Sequence, residues 1–403
     1  MTYPRLLLIS DLPLSLSDSS KFANPTLYNL FKNYPSECIF QCLPHSTLKT
    51  HPASIDHQQV VSYRNTFLPS LRNRFGTYVN PWIEYVDFSI LNTIPFLNLN
   101  ALEDFRPAIL VICPITLSCL IFAKKIVDKL KIPFLIYFMD DWLAKNTTSW
   151  IGGNVQSLAH QMLKESTGWI MISDFLQEEF AKRFKIFSKP CVIAHNPVSS
   201  ILSKLVIQDK LSKTFQIAYA GSIQPLHEDS FLLVAQSIYE LRQEGVDIEL
   251  ITYTPVSFWE KYRNVLISFD VINGSLIPYS KLHITLSQSD LLLVSTSFNL
   301  DYEYPVRSSL LTKLTDYMAS GKPILSCGPE YSACNKFLEK WNCGVICSSN
   351  SIDQIKTCLR WCISNQESIS DLAQTALDVL KNNFSESVVQ DKLYTFIENM
   401  AHC

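Results

Sequence analysis

The sequence lacks the features that mark several classes of protein. Its 12 cysteines include no CxxC pair, which argues against a zinc site and, in a chain of 403 residues, against a disulfide framework. The net charge of −3 and the pI near 6.3 predict that nucleic acid is not a partner, because domains that bind it usually have a pI above about 9. His45, His51 and His57 show no metal-ligand spacing.

No apolar run is long enough to suggest a membrane span. The longest, Ile109 to Ala123, has 15 residues and is interrupted by Pro114, Thr116 and Ser118, whereas a spanning helix needs about 18. The N-terminal segment MTYPRLLLIS has four apolar residues in a row, fewer than the roughly 7 to 15 of a signal peptide. Together with the scattered cysteines, these absences predict a cytoplasmic protein.

The sequence does contain a repeated alternation of apolar strands and helical patterns, which is typical of parallel α/β layers. A chain of 403 residues exceeds a single core of about 250 to 300. The pattern restarts at Phe215, after a polar run from Ser199 to Lys213. We therefore predict two Rossmann-like domains, at residues 1–198 and 215–382, a linker at 199–214, and a final helix within 383–403 that crosses back to the first domain.

The predicted strands are short apolar runs, and the predicted helices lie between them. We place strands at Arg5 to Ile9, Cys38 to Cys42, Ile109 to Ile112, Phe134 to Phe138, Gly168 to Ile172, Cys191 to Ala194, Phe215 to Ala220, Asp247 to Ile251 and Asp290 to Val294. We place helices at Leu117 to Leu130, Asp174 to Phe184, Ser230 to Gln243, Pro255 to Val265, Lys281 to Ser287 and Val388 to Met400. The stretch from Val60 to Phe96 has no clear period.

The chemistry is expected at the ends of strands in the second half. The segment Leu311 to Gly328, LTKLTDYMASGKPILSCG, predicts a helix that leads directly into an apolar strand. Ligands of parallel sheets bind beyond the carboxyl ends of the strands, so Thr296 to Asp316 is the first place to look. Gly221, which follows another strand, would let the backbone approach a diphosphate, although such a glycine is more often part of an ordinary tight turn.

Several motifs together resemble a known family. AYAGS near residue 220, IPYSKL at 277–282, SDLLLVSTS at 289–297 and DYMASGKPI at 316–324 resemble the nucleotide-sugar domain of GT-B glycosyltransferases of the family 4 type. YFMDDW at 137–142 is similar to the acceptor side of bacterial members that build polysaccharides. The resemblance implies two Rossmann-like domains facing across a cleft. It also implies transfer of a sugar from a nucleotide diphosphate sugar to a glycan or lipid-linked acceptor, in cell-surface polysaccharide biosynthesis.

The resemblance implies which residues would bind the donor diphosphate. The family has an Arg directly after the glycine of the first turn and a Lys about five residues later, and here Ser222 and His227 hold those positions. The departing diphosphate gains negative charge, so it needs cations or amides directed at it. Lys313, Arg307 and the amides near Gly221 and Ser222 are the groups that would compensate.

The resemblance also implies how the rest of the donor would be held. The family's two glutamates, eight positions apart, map onto Ser308 and Asp316. Asp316 would accept hydrogen bonds from the ribose diol, and the carboxylate that contacts the donor sugar is absent at Ser308. Thr296 would border the donor pocket. Tyr279 would lie against the nucleobase, or else it is a packed aromatic residue.

Asp140 and Asp141 are the candidate catalytic residues on the acceptor side. Their carboxylates would orient an acceptor hydroxyl or accept its proton; alternatively, Asp141 caps the following helix and Asp140 is solvated. No DxD pair lies beside a donor strand, so we expect no metal and no cofactor apart from the donor substrate. The aromatic and basic stretch around Arg72 and Trp82 leaves open either contact with a membrane that carries the acceptor or packing within the domain.

Two other functions stay open. The missing Arg, Lys and first Glu would suit a catalytically degenerate GT-B protein that binds sugar nucleotide or assembles with other glycosyltransferases. A sugar-nucleotide epimerase on the same architecture would need more acids and bases than the sequence offers. Donor hydrolysis or sugar transfer by the purified protein separates an enzyme from a degenerate binding protein.

Overall fold

The computed structural model describes residues 2–14, 25–44, 59–63, 100–146, 152–198 and 214–402. They form two units: Met1–Asn196 together with Val389–Cys403, and Pro197–Val388. Each unit has its own parallel sheet. The predicted linker lies outside the described residues except for Thr214, and so does the stretch around Arg72 and Trp82.

The first unit contains a seven-stranded parallel sheet with helices between its strands. Its strands are β1 (Leu6–Ser10), β2 (Ile39–Pro44), β3 (Gln59–Tyr63), β4 (Ile109–Cys113), β5 (Phe134–Phe138), β6 (Gly168–Met171) and β7 (Cys191–Ile193). Its helices include α1 (Pro25–Phe31), α2 (Asn100–Phe105), α3 (Leu117–Leu130), α4 (Gly152–Glu165) and α5 (Asp174–Phe184), with 3₁₀ turns at Ser36–Cys38 and Trp142–Asn146. The strand order is β3-β2-β1-β4-β5-β6-β7.

The second unit repeats this arrangement with six strands. They are β8 (Phe215–Ala220), β9 (Ile248–Tyr253), β10 (Ile272–Asn273), β11 (Leu291–Ser295), β12 (Ile324–Cys327) and β13 (Val345–Cys347). The helices are α6 (Glu228–Gln243), α7 (Val256–Ser268), α8 (Tyr279–Leu286), α9 (Glu303–Ser308), α10 (Lys313–Ala319), α11 (Ala333–Trp341), α12 (Ile352–Ser364) and α13 (Gln366–Val379), with a 3₁₀ turn at Leu300–Tyr302 and a π-helical turn at Leu380–Phe384. The order is β10-β9-β8-β11-β12-β13.

Both sheets are doubly wound. In each, the strand order runs outward in two directions from a central pair, β1 and β4 in the first unit and β8 and β11 in the second. Neighbouring strands in both sheets run parallel to each other. Between β11 and β12, for example, Leu292 lies opposite Ile324. The prediction of two Rossmann-like α/β domains is therefore confirmed. Because the chain leaves the central pair toward opposite faces, a crevice forms at its carboxyl end, where ligands of such folds bind.

The last helix, α14 (Glu386–Ala401), belongs to the first unit from Val389 onward. Ile397 is fully buried there, and the Tyr394 hydroxyl donates a hydrogen bond to the carbonyl of Leu30 at 2.8 Å. Burial of one apolar face thus attaches the C-terminal helix to the core around β1.

Three helices of the second unit differ in extent from the prediction. Helix α6 begins at Glu228 rather than Ser230, α7 extends to Ser268, and α8 begins at Tyr279 rather than Lys281. Pro278 immediately precedes α8 with φ −57°, an angle already suited to a helix start. The earlier start brings Tyr279 onto the same helix as His283.

Two further observations concern the helices and the cysteines of the described ranges. No helix there combines the length and apolar character that a membrane crossing requires. The cysteines there are free thiols, and most are buried. Burial raises the pKa of the Cys42 thiol to about 12, so this thiol behaves as a small apolar core group.

Candidate functional site

The crevice of the second unit opens where β8 and β11 end. Gly221 follows β8 with φ +130°, a conformation that side chains rarely adopt, and its amide donates to the carbonyl of Tyr253 at 3.0 Å. Thr296 follows β11, and its amide donates to the carbonyl of Cys327 at 2.9 Å. The structure thus places both predicted residues at the strand ends where a ligand would enter.

Lys313 lies at the edge of this crevice, with its ammonium group packed against Gly221 and the Tyr219 ring. The nitrogen Nζ lies 4.0 Å from the centroid of the Tyr219 ring, and a Cβ added to Gly221 would lie 3.0 Å from it. The residue as a whole is partly exposed, but Nζ is inaccessible to solvent and has no hydrogen-bond partner in the described part of the chain. Burial lowers the pKa of Lys313 to about 7. Close to pH 7, about half of the Lys313 side chains are then protonated, and each of these is a buried cation without a hydrogen-bond partner among the described residues.

His227 borders the same crevice but does not supply a second cation. Its Nδ1 lies 3.0 Å from the carbonyl oxygen of Ser295. A carbonyl only accepts, so Nδ1 carries the proton of the neutral ring and Nε2 is left with a lone pair. Burial and the nearby Lys313 lower the pKa of His227 to about 3. At neutral pH His227 is therefore an uncharged group at the position where the family has a lysine.

A second unpaired polar group lies at the end of β11. The Thr296 side chain is almost fully buried, and its Oγ1 has no hydrogen-bond partner in the described ranges. Gly328 follows β12, and a Cβ added to it would lie 1.8 Å from that Oγ1. Only glycine fits at residue 328 without displacing Thr296. A buried hydroxyl without a partner is costly, so it is a candidate donor to a ligand oxygen.

Asp316 and Tyr279 contact each other, and His283 joins them. The Tyr279 hydroxyl donates to Asp316 Oδ1 at 3.0 Å, and His283 Nε2 lies 3.3 Å from the same oxygen. Asp316 lies three residues after Lys313 in α10, so the two side chains share one side of that helix. The crevice thus has an acidic group one helical turn from its cation.

Ser222, Arg307 and Ser308 make other contacts. The Ser222 carbonyl accepts a hydrogen bond from the Tyr219 hydroxyl at 2.8 Å. Arg307 pairs with Glu303 on its own helix and lies over the ring of Tyr331.

Ser308 is fully buried, and its hydroxyl forms a hydrogen bond within its own helix. Its hydroxyl donates to the Tyr304 carbonyl at 2.8 Å, a bond of the i to i−4 type that holds the side chain against α9. This orientation gives no support to a contact with the donor.

Sequence reasoning missed three residues of this crevice. The sequence pattern identifies Tyr219 only as a strand residue, His283 only as a helix residue and Gly328 only as the end of an apolar strand. The spacing of four between Tyr279 and His283 was a usable signal, because residues four apart lie on one helix face. No group of three or more potential metal ligands occurs in the ranges that the structure describes.

The equivalent crevice of the first unit is already occupied by a carboxylate. Asp11 follows β1, and its Oδ2 accepts hydrogen bonds from the amides of Ile115 and Thr116 at 2.8 and 2.9 Å. Its Oδ1 accepts one from the Thr116 hydroxyl at 2.8 Å. Burial raises the pKa of Asp11, while these hydrogen bonds oppose the rise. The amides after β4, which would otherwise be available to a ligand anion, are therefore engaged internally.

Replacing Asp11 with Asn should lower the free energy of unfolding by about 2 kcal/mol, because an amide cannot accept from all three donors at once. Urea denaturation measures the change. Asp128→Asn is the matched control, since Asp128 is an exposed carboxylate of α3 and its replacement should cost less than about 0.5 kcal/mol. Equal stability of the two variants would contradict this account of the first crevice.

The two predicted catalytic aspartates have different surroundings. Arg183 donates to Asp141 Oδ1 at 2.8 Å and to Oδ2 at 2.6 Å, and the amide of Ala144 donates to Oδ1 at 3.2 Å. The Asp141 side chain is fully buried, whereas Asp140 is exposed. These contacts support the alternative in which Asp141 caps the turn Trp142–Asn146. Its engaged oxygens are poorly placed to accept a proton from an acceptor, so Asp140 is the remaining candidate.

No family model and no curated protein matches the chain. Solved structures resemble it along nearly its whole length. HepE from Anabaena, in complex with UDP-glucose, has a TM-score of 0.67 and 12% identity, covering 98% of this chain and 99% of that one. Sucrose-phosphate synthase from Thermosynechococcus elongatus has a TM-score of 0.68 and 8% identity, covering 98% and 99%. α,α-Trehalose 6-phosphate synthase from Burkholderia multivorans has a TM-score of 0.67 and 12% identity, covering 100% and 98%.

These structural neighbours are glycosyltransferases, and the likeness extends over both units of the chain. At such low identities it establishes the fold alone, and assignment to family 4 stays a prediction. The chain has the GT-B fold that the sequence predicts.

Proposed function

We propose that the protein is a glycosyltransferase that moves a sugar from a nucleotide diphosphate sugar to a glycan or lipid-linked acceptor. The observation that carries the proposal is the buried ammonium of Lys313, which lies near the ends of β8 and β11 and has no hydrogen-bond partner among the residues that the structure describes. Isolated buried charges are strongly unfavourable, so such a group is retained where an anion will join it. A diphosphate would supply that anion.

The position of Lys313 suits a leaving group as well as a bound ligand. The sugar–phosphate bond breaks with negative charge developing on the diphosphate, and a cation fixed in a dry site stabilises this charge more than it would in water. In this proposal Lys313 takes the place of the Arg and Lys that the family has where Ser222 and neutral His227 stand. The Thr296 hydroxyl, which has no hydrogen-bond partner within the described ranges, would donate to a phosphate or sugar oxygen.

The remaining assignments follow from the same placement. Asp316, one turn along α10, would accept from the ribose, and the half-buried Tyr279 ring would border the base. Asp140 would orient or deprotonate the acceptor hydroxyl. The neighbour HepE is described with UDP and with UDP-glucose, which favours a uridine diphosphate donor for this chain. We place the reaction in cell-surface polysaccharide biosynthesis, without a metal or cofactor and with peripheral membrane contact on the acceptor side.

Calorimetric titration of the purified protein with UDP, UMP and uridine tests the proposal. UDP should bind at least about tenfold more tightly than UMP, because charge-assisted bonds to the ammonium are lost with the terminal phosphate. Lys313→Met should remove this preference and leave uridine binding unchanged. Lys381→Met is the matched control, since Lys381 is an exposed lysine of the same unit. Binding of UDP no tighter than uridine by the unmodified protein would refute the proposal.

Turnover is a separate measurement. Release of UDP from UDP-glucose, alone or with glycan acceptors, should fall by about 100-fold or more in Lys313→Met if the lysine stabilises the leaving group. A degenerate binding protein is the second candidate, and the neutral state of His227 favours it because the site then has one cation instead of two. Tight UDP binding without release from any common donor would select that alternative.

A further inference from the structure

The carboxylate of Asp316 is held by two donors from one neighbouring helix. Tyr279 and His283 lie four residues apart on α8, so both face α10. Their rings meet edge to face, with centroids 5.9 Å apart and planes at 80°. Each ring limits the rotation of the other, which keeps both donors directed at the same oxygen.

The two oxygens of Asp316 therefore differ. Oδ1 accepts from the Tyr279 hydroxyl and from His283 Nε2, which uses both of its lone pairs. The side-chain hydrogen bonds of Asp316 within the described part of the chain all end on Oδ1 and none on Oδ2, and the side chain keeps 9% of its surface open to solvent. Since an ionised carboxylate only accepts, His283 must carry its proton on Nε2 in this contact. The arrangement leaves one oxygen available to a ligand.

We infer that Tyr279 and His283 are positioning residues, which fix Asp316 so that Oδ2 receives a ligand hydroxyl and the site selects ribonucleotides over 2′-deoxyribonucleotides. The inference rests on the proposed function, because it takes the ligand to be a nucleoside diphosphate. Aspartate is one methylene shorter than the glutamate it replaces, so a misdirected carboxylate cannot reach out to recover the contact. Fixing it before binding removes the entropy cost of ordering it afterwards.

His283 contacts the ligand only through Asp316 in this account. The His283 side chain is 2% exposed, whereas the Tyr279 residue is half-buried at the start of α8. Loss of either donor would free Asp316 Oδ1 to rotate or to take up water. The expected consequence is weaker discrimination at the ribose hydroxyl, with binding of the diphosphate at Lys313 retained.

The test measures the affinity ratio between a nucleoside diphosphate and its 2′-deoxy form, using whichever of UDP, ADP or GDP binds most tightly. The unmodified protein should prefer the ribonucleotide by about tenfold, the effect of one hydrogen bond to a charged acceptor. Asp316→Ala should bring the ratio near one. Tyr279→Phe and His283→Leu should bring it to about threefold or less.

A conservative variant of His283 shows whether the residue positions Asp316 or only contributes to folding. His283→Gln keeps an amide N–H close to the place of Nε2 and should restore most of the preference, and Tyr239→Phe, a change on α6 outside the site, should leave it intact. An unchanged ratio in Tyr279→Phe and His283→Leu, with Asp316→Ala still losing it, would overturn this inference and leave the proposed function standing. Failure of the unmodified protein to bind any of the three diphosphates would overturn both.

Discussion

Replacing Lys313 with methionine is expected to make the free protein more stable while abolishing its preference for diphosphates. Methionine is flexible and apolar, so it can occupy the space over the Tyr219 ring without a charge. The shift in the pKa of Lys313 from 10.5 to about 7 corresponds to at most about 5 kcal/mol of unfavourable burial. Relaxation around the charge lowers the realised gain, and we expect about 2 kcal/mol at pH 7.

The dependence of stability on pH gives this prediction a clear sign. Below pH 7 both the folded and the unfolded chain hold the Lys313 proton, and the burial penalty is complete. Between pH 7 and pH 10.5 the folded chain has released the proton while the unfolded chain retains it, so stability rises with pH. Above that window the penalty is gone. Lys313→Met should lack this rise, whereas the exposed control Lys381→Met should keep it.

Chemical denaturation at pH 7 and pH 10 measures the effect. The difference in unfolding free energy between Lys313→Met and the unmodified protein should shrink by at least about 1 kcal/mol across that interval. A variant that is less stable than the unmodified protein at both pH values would show that the ammonium group already has a favourable partner. That outcome would also remove the main support for a ligand anion.

The second large expected effect is on the stability of the first unit, when Asp141 rather than Asp140 is replaced. Asp141→Ala is expected to cost about 3 kcal/mol or more, because it leaves the Arg183 guanidinium largely buried and without its bidentate partner. Asp140→Ala should change stability by less than about 0.5 kcal/mol, since its carboxylate is exposed. Thermal and urea denaturation of the two single variants measure the contrast.

For the rate of sugar transfer, we expect Asp140 rather than Asp141 to be the residue that acts directly. If Asp140 orients or deprotonates the acceptor, Asp140→Asn should lower the rate of sugar transfer by about 100-fold without changing UDP affinity. The double variant Asp141→Leu, Arg183→Met replaces the ion pair with apolar groups and should recover much of the lost stability. A transfer rate that is unaffected by Asp140→Asn would contradict the catalytic assignment of that residue.

Strand positions and the fold were predictable because each depends on a local pattern. The apolar run before Ser295 predicts a buried strand, and β11 is found there. Helix α3 was also predicted with its observed limits, because Thr116 caps its first turn and Lys131 ends it in a left-handed conformation. The start of α8 is predicted two residues late, at Lys281, because Pro278 is not itself helical and the helix begins directly after it, at Tyr279.

Contacts between distant residues could not be predicted in the same way. Arg183 follows Asp141 by 42 residues, and Thr116 follows Asp11 by 105, so no local pattern reveals either contact. The lowered pKa of Lys313 depends on burial, which the sequence does not specify at one lysine. His283 was missed because its importance appears only when α8 packs against α10.

The carboxylate of Asp11 makes the two halves of the chain chemically unequal despite their common strand order. In one half the carboxylate of Asp11 accepts hydrogen bonds from backbone amides, and in the other the buried Lys313 ammonium has no hydrogen-bond partner in the part of the chain that the structure describes. If the proposed function is correct, the two units do not compete for the same diphosphate ligand, although they share one architecture. Excess inorganic phosphate would be drawn toward the lysine half, where it would act as a competitor, and the aspartate half would repel it.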